Sequence, residues 1–223
     1  MAPRRKKESR RKRKSRQRSR PSREPIPRIL VICEGTRTEP NYINNFSIDP
    51  DVRNGLVDVK SIGLGTDPQT LVETAIDKIN EAIKEAEELG DSYIAYDQVW
   101  CLFDDEHDAD RTNTAKQLAR ANGIKLGISN PCFELWGLFH FQDQDAHIST
   151  RHAGRQYNSH DQKYDPRRNK MFSYELIKPN YNDAVRRGRL SIRNRRDERD
   201  PGGNPSTNVH LLTETIRKFG QNK

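Results

Sequence analysis

Two short apolar runs that end directly in carboxylates constrain the fold of this chain more than any other feature. Ile29-Leu30-Val31-Ile32-Cys33 is followed by Glu34, and Val99-Trp100-Cys101-Leu102-Phe103 is followed by a group of acids that starts at Asp104. A continuous apolar run of this length is typical of a strand buried on both faces, as in a parallel sheet covered by helices. Open α/β sheets bind their ligands at the carboxyl ends of such strands. We therefore expect the two acidic ends to meet at one edge of a sheet.

The segments around these runs alternate in the way that a parallel sheet requires. After the first run, the patterns predict a helix over 39–46, a strand over 56–62, a helix over 68–89, the second run as a strand, a helix over 111–122 and a strand over 124–128. Asp67 can cap the long helix and Gly90 can end it. This β-α-β-α-β-α-β succession predicts an α/β fold with an open, mostly parallel sheet flanked by helices.

Positive charge is concentrated at the N-terminus. Residues 1–28 hold 14 Lys or Arg against two Glu, a net charge of +12, whereas the whole chain carries +8, which leaves about −4 on residues 29–223. With almost no apolar residues, this arm cannot bury a core and is expected to be disordered. It is expected either to raise non-specific affinity for RNA or DNA or to act as a solvated tail. The predicted domains are this arm, an α/β core over 29–140 and a helical, partly irregular C-terminal extension over 141–223.

Cysteine spacing and hydropathy predict a soluble, cytoplasmic protein with no membrane partner. Cys33, Cys101 and Cys132 form no CxxC pair, and two of them lie inside the predicted buried strands. They are expected to be small buried residues in a reducing compartment. No apolar run reaches transmembrane length, and the N-terminus lacks the apolar stretch of a signal peptide.

Glu34, Asp104 and Glu106 are the candidate catalytic and metal-binding residues. Because side chains alternate along a strand, Asp104 and Glu106 can point to the same side, and Glu34 on a neighbouring strand can act as a third ligand or as a general base. Crowded carboxylates require a counter-charge, and hard cations such as Mg²⁺ prefer oxygen ligands. Glu134, in the first turn of a helix predicted after Ser129-Asn130-Pro131, is a further candidate metal ligand. A solvated acidic turn is the alternative interpretation, and Asp105 and Asp108 are expected to be solvated.

Basic residues are candidates for contacts with a nucleic acid. Arg37, with Thr36, Thr38 and the free N–H groups of a helix start, can hold a phosphate. Thr36 and Glu39 also have the spacing of a capping box, which predicts a structural role for Glu39. A second basic cluster in the C-terminal extension supplies the candidates Arg186, Arg187, Arg189 and Arg193.

Four motifs in this order resemble the RloB-like family. They are Val31-Ile32-Cys33-Glu34-Gly35-x-x-Thr38-Glu39-Pro40-x-Tyr42, Phe103-Asp104-x-Glu106-His107, Ser129-Asn130-Pro131-x-Phe133-Glu134-x-Trp136, and Asn204-Pro205-Ser206-Thr207-x-Val209. The resemblance implies a Toprim-like fold and an origin in the restriction and phage-defence loci of bacteria and archaea. Toprim domains pair a Glu after the first strand with an Asp-x-Asp after a later one. Glu34 and Asp104 match this pattern, and Glu106 stands where Asp is usual.

The resemblance implies a nuclease that depends on Mg²⁺ or Mn²⁺, with RNA such as tRNA favoured over DNA. It also implies a defence-system partner that regulates the activity, and it leaves a homo-oligomer open. Two other hypotheses stay open. One is a non-catalytic nucleic-acid-binding or scaffold protein whose acidic site is structural, and the other is an enzyme that acts on a small phosphorylated molecule.

Overall fold

The described part of the chain contains a five-stranded sheet in the order β2-β1-β3-β4-β5. The computed structural model describes residues 26–53, 57–105 and 109–221. The strands are β1 (Arg28–Cys33), β2 (Asp58–Gly63), β3 (Gln98–Asp104), β4 (Lys125–Asn130) and β5 (Ser206–Thr207). Strands β1 to β4 are parallel, and β5 runs antiparallel to β4. The predicted α/β class with a mostly parallel sheet is confirmed.

Helices cover both faces of the sheet. They are α1 (Thr38–Ile48), α2 (Pro50–Arg53), α3 (Pro68–Leu89), α4 (Ala109–Ala121), α5 (Glu134–Phe139), α6 (Thr150–His160), α7 (Tyr174–Ile177), α8 (Tyr181–Asp197) and α9 (Val209–Gln221). The bounds of α3 are those predicted. Asp67 caps it by accepting hydrogen bonds from the backbone N–H groups of Gln69 and Thr70, and Gly90 ends it in the left-handed conformation.

The two apolar runs are uninterrupted because each strand contributes side chains to two separate cores, one on each face of the sheet. Alternate residues of β1, such as Val31, face a core shared with α1, α5 and α9, whereas their neighbours, such as Ile32, face a core shared with α3 and α4. In β3, Leu102 belongs to the first core and Phe103 to the second. The period-two alternation of a strand thus places apolar side chains on both faces of a covered sheet.

The C-terminal extension takes part in both the sheet and the core. Residues 206–207 form β5, and α9 begins at Val209. The Asn208 side chain accepts a hydrogen bond from the Ile128 backbone N–H and donates one to the Leu126 carbonyl, so this segment is held in extended form against β4. The predicted division at residue 140 stays a prediction.

The three cysteines are buried free thiols, as expected. Burial raises the pKa of the Cys101 thiol to about 12, so it remains a protonated, apolar core group at neutral pH. Over the described residues, no helix combines the length and the apolar character needed to cross a membrane.

Candidate active site

A cavity of about 650 Å³ lies at the carboxyl ends of β1 and β3. Residues 34–39, which form the turn between β1 and α1 and the start of α1, line it, and Asp104 at the end of β3 lies beside this turn. Glu134, at the start of α5, also lines the cavity. Since β1 and β3 are paired in parallel, their carboxyl ends meet at one edge. The cavity therefore brings together Glu34, Asp104 and Glu134, which are far apart in the sequence.

The Glu34 carboxylate is held against the end of β3. Its Oε2 atom accepts a hydrogen bond from the Asp104 backbone N–H at 2.9 Å. The backbone N–H of Glu34 in turn donates to the Leu102 carbonyl at 2.8 Å. These two contacts set the position of Glu34 relative to Asp104.

Asp104 and its neighbour Asp105 have different surroundings because side chains alternate along β3. Asp104 lines the cavity on the side of α1 and α5. Asp105 instead contacts α4, where it accepts a hydrogen bond from the Thr112 hydroxyl at 3.3 Å and pairs with Lys116 at 3.7 Å. The expectation that Asp105 is solvated is therefore wrong, and Asp108 lies outside the described residues. Adjacent residues at this strand end therefore face opposite sides, so that one carboxylate lines the cavity and the next contacts a helix.

Glu134 is a buried carboxylate tied to a distant loop. It is 7% exposed and accepts a hydrogen bond from the Tyr164 hydroxyl at 2.5 Å. Tyr164 also lines the cavity and packs edge-on against Tyr157 at a ring-centroid distance of 4.9 Å. Local sequence patterns gave no signal for Tyr164, because its partner lies 30 residues away in the chain.

Glu39 is a cavity residue for which the sequence predicted a structural role only. The capping box is not formed as predicted, because α1 begins at Thr38 and the Glu39 Oε1 atom accepts from the Gly35 backbone N–H at 3.2 Å. A Cβ atom on residue 35 would overlap this carboxylate, so the close approach requires glycine. Burial, with the charges of Glu134 and Glu34, raises the pKa of Glu39 to about 7.

Cations also line the cavity. Arg37, which the sequence predicted as a phosphate contact, lines it together with Arg151 of α6 and Lys170. The Arg37 Nη1 atom donates to the carbonyl of Arg168 at 3.2 Å, which joins the β1–α1 turn to the loop after α6. The sequence did not single out Arg151 or Lys170, because the segment that carries them has no recognisable pattern of its own.

The predicted arginine cluster of α8 does not line this cavity. Arg186, Arg189 and Arg193 border a separate groove that also contains Glu214. Arg189 pairs with Glu214 at 2.5 Å, and Arg187 donates to Asp143 at 2.7 Å. Carboxylates therefore already neutralise much of this cluster.

Carboxylate oxygens are the main atoms in this cavity that could bind a metal ion. Glu34, Asp104 and Glu134 are present in the cavity, whereas Glu106, the fourth predicted ligand, lies outside the described residues. Within the ranges that the structure covers, no group of three or more His, Cys, Asp or Glu side chains is arranged to enclose a metal ion. Mg²⁺ commonly uses one or two carboxylates with waters and substrate phosphate, so this donor set fits such an ion in its chemistry.

The model of a family described as RloB-like protein matches residues 29–216. No curated protein and no solved structure matches the chain.

Proposed function

The chain belongs to the RloB-like protein family, and from this premise we propose that it is a Toprim-like, divalent-metal-dependent nuclease. Its proposed reaction is hydrolysis of a phosphodiester bond, with RNA such as tRNA favoured over DNA. The proposed setting is prokaryotic anti-phage defence.

One observation carries the proposal: carboxylates and cations share a cavity at the carboxyl ends of two adjacent parallel strands. Glu34, Asp104 and Glu134 are the candidate ligands of Mg²⁺ or Mn²⁺, of which such an ion needs one or two together with waters and substrate phosphate. Arg37, Arg151 and the helix start of α6 would hold the phosphates of the substrate. An acidic site by itself repels a polyanion, so the cations that line the same cavity are needed to attract the substrate.

The residues of the cavity suit the separate tasks that this reaction requires. When bound, the cation supplies positive charge that stabilises the phosphate as negative charge develops on it. Glu34, fixed by the Asp104 backbone N–H, can bind the cation or take a proton from the attacking water. The Tyr164 hydroxyl keeps the Glu134 carboxylate in one orientation. Glu106, outside the described residues, remains a predicted ligand.

A matched pair of variants tests the proposal. Asp104→Asn or Glu34→Gln should abolish cleavage of RNA in Mg²⁺ or Mn²⁺, because each removes a carboxylate from the cavity. Asp105→Asn should retain cleavage, because this carboxylate contacts Thr112 and Lys116 instead. Sequencing of RNA ends after expression of wild type and Asp104→Asn would identify the target. Wild-type cleavage that persists in EDTA would contradict metal dependence.

A non-catalytic nucleic-acid-binding or scaffold role is the second candidate. It is favoured by the observation that Glu34 and Glu134 each accept a hydrogen bond that joins two segments of the chain, while Glu39 accepts one from the turn that precedes α1. On this hypothesis, Asp104→Asn leaves nucleic-acid binding intact and no cleavage is found with either metal. Wild-type cleavage that the variant lacks would exclude it.

A further inference from the structure

A basic surface formed by α6 and the loop that follows it adjoins the cavity. Between Ser149 and Ser173, six Lys or Arg residues stand against two Asp, whereas residues 29–223 as a whole carry a net negative charge of about −4. We call the exposed cations Arg151, Arg155, Arg167 and Lys170 the rim. Arg151 and Lys170 line the cavity itself. Arg155 follows Arg151 by one helical turn and lies on the same side of α6.

The rim cations differ from those of α8 in their partners. Over residues 26–53, 57–105 and 109–221, none of the four forms a salt bridge with a carboxylate, whereas Arg186 and Arg189 of α8 do. Asp165, the acid nearest in sequence to Arg167 and Lys170, accepts hydrogen bonds from the backbone N–H groups of Arg167 and Arg168. It therefore shapes the loop rather than pairing with the rim side chains. The rim charge remains available to an external anion.

The loop that carries half of the rim is fixed at its base. Asp161, 2% exposed, accepts hydrogen bonds from the backbone N–H and the hydroxyl of Ser173, both at 2.8 Å. The Tyr157 hydroxyl donates to the same carboxylate at 3.1 Å. Phe172 is buried against the rings of Tyr157 and Tyr164. Because both ends of the loop are held, its cations occupy set positions beside the cavity, which reduces the entropy cost of binding a ligand.

The size of the cavity limits which anion can reach the acids. A cavity of about 650 Å³ has the size of sites that enclose one small ligand, so it can take a single nucleotide and not a base-paired duplex. A duplex would have to unpair before one of its nucleotides could enter. A nucleotide of an unpaired strand fits a site of this volume.

We propose that the rim binds the phosphate backbone of an unpaired polynucleotide strand and directs it across the acidic cavity. The inference rests on the proposed nuclease function and adds its substrate class, a single-stranded segment such as a loop or an end. Each rim cation would contact a phosphate that flanks the one at the acids. Such contacts set the register of the strand and carry no base specificity.

Binding measured without cleavage tests this inference. In EDTA, the full chain is titrated with a fluorescent 20-nucleotide unpaired RNA, an unpaired DNA of the same length, and the corresponding duplexes. For Arg151→Gln/Arg155→Gln/Lys170→Gln, we expect affinity for the unpaired strands to fall about tenfold or more. The salt slope of binding should also fall by about two, because three phosphates of a single strand are no longer neutralised. Lys60→Gln/Lys84→Gln/Arg120→Gln removes the same charge elsewhere on the described surface and should change affinity far less.

Several outcomes would overturn the inference. One is an equal effect of the rim variant and its control, and another is a larger loss of affinity for Arg186→Gln/Arg189→Gln/Arg193→Gln than for the rim variant. A loss of duplex affinity in the rim variant as large as its loss of affinity for the unpaired strand would exclude the substrate class. Competition by micromolar mononucleotide would identify a small phosphorylated molecule as the ligand instead of a polymer.

The same measurements separate this inference from the nuclease proposal. Rim-dependent binding of unpaired strands with no cleavage in Mg²⁺ or Mn²⁺ would support the rim as a strand-binding surface and contradict the proposed nuclease function. Metal-dependent cleavage that is unchanged in the rim variant would support the proposed nuclease function and contradict the rim as a strand-binding surface.

Discussion

At the scale of single residues, the hydroxyl of Tyr164 joins a cavity carboxylate to a loop that lies far along the chain. It donates to Glu134, while its ring packs against Tyr157 and Phe172. Hydrogen bonds that orient a metal-binding carboxylate commonly change metal affinity by 10- to 100-fold when they are removed. Tyr164 is therefore a positioning residue for Glu134 in the proposed metal site.

We predict that Tyr164→Phe weakens Mn²⁺ binding by about tenfold or more and leaves the fold intact, because the ring is kept and only the hydroxyl is removed. Calorimetric titration with Mn²⁺ measures the affinity, and thermal unfolding measures the fold. Tyr157→Phe is the matched control, since its hydroxyl donates to Asp161 and not to a cavity carboxylate. Equal Mn²⁺ affinity in both variants and the wild type would contradict the positioning role.

At the scale of elements, helix α5 is buried along its whole length and carries Glu134 at its start. His140, which follows its last turn, is 2% exposed, and its Nδ1 atom lies 2.9 Å from the Trp136 carbonyl. Burial lowers the pKa of His140 to about 4, even though its contacts with the backbone favour the protonated ring. The neutral imidazole is thus part of the packing that holds α5.

We predict that acid destabilises the protein through this histidine. Below its ordinary pKa of about 6.5, the unfolded chain binds a proton that the folded imidazole does not bind until about pH 4. The free energy of unfolding should therefore fall as the pH drops from 6.5 to 4, by roughly 3 kcal/mol from His140.

Urea unfolding of wild type and His140→Gln at several pH values measures this effect. The variant should start less stable at pH 7 but lose less stability on acidification. His210, whose pKa burial also lowers to about 4, is present in both proteins and contributes equally. Parallel pH profiles for the two proteins would contradict the prediction.

At the scale of the whole molecule, charge is divided between a basic arm and an acidic remainder. Residues 1–25 contain 13 Lys or Arg and two Glu. Because cations of this kind bind phosphates without reading sequence, the arm should raise affinity for any nucleic acid in a salt-dependent way. The cavity carboxylates and the rim belong to the described part of the chain.

We predict that deletion of residues 1–25 weakens binding to duplex DNA at low salt and flattens its salt dependence, by about 0.9 in slope for each phosphate that the arm neutralises. Cleavage of a short unpaired RNA at saturating concentration should persist. Fluorescence anisotropy across a salt series and a cleavage assay measure the two effects. Unchanged affinity would identify the arm as a solvated tail, and complete loss of cleavage would make it part of the site.

Local hydropathy was enough to predict most of the sheet and its helices. The bounds of α3 were predicted in full, and β1, β3 and α4 within two residues at each end. Such elements can be predicted because the spacing of their apolar residues indicates which faces are buried. The meeting of the two acidic strand ends could also be predicted, because β1 and β3 pair in parallel and their carboxyl ends therefore lie at one edge.

The sequence by itself determined a parallel sheet with Glu34 and Asp104 at one edge, because strand periodicity and the order of elements are local properties. The tertiary structure decided which other residues line the cavity with Glu34 and Asp104. Tyr164, Arg151 and Lys170 come from a segment without a clear pattern, and long-range contacts such as Tyr164 to Glu134 and Arg37 to Arg168 bring that segment over the strand ends. Local patterns do not specify such contacts, since their free energy comes from burial and hydrogen bonds between groups distant in the chain.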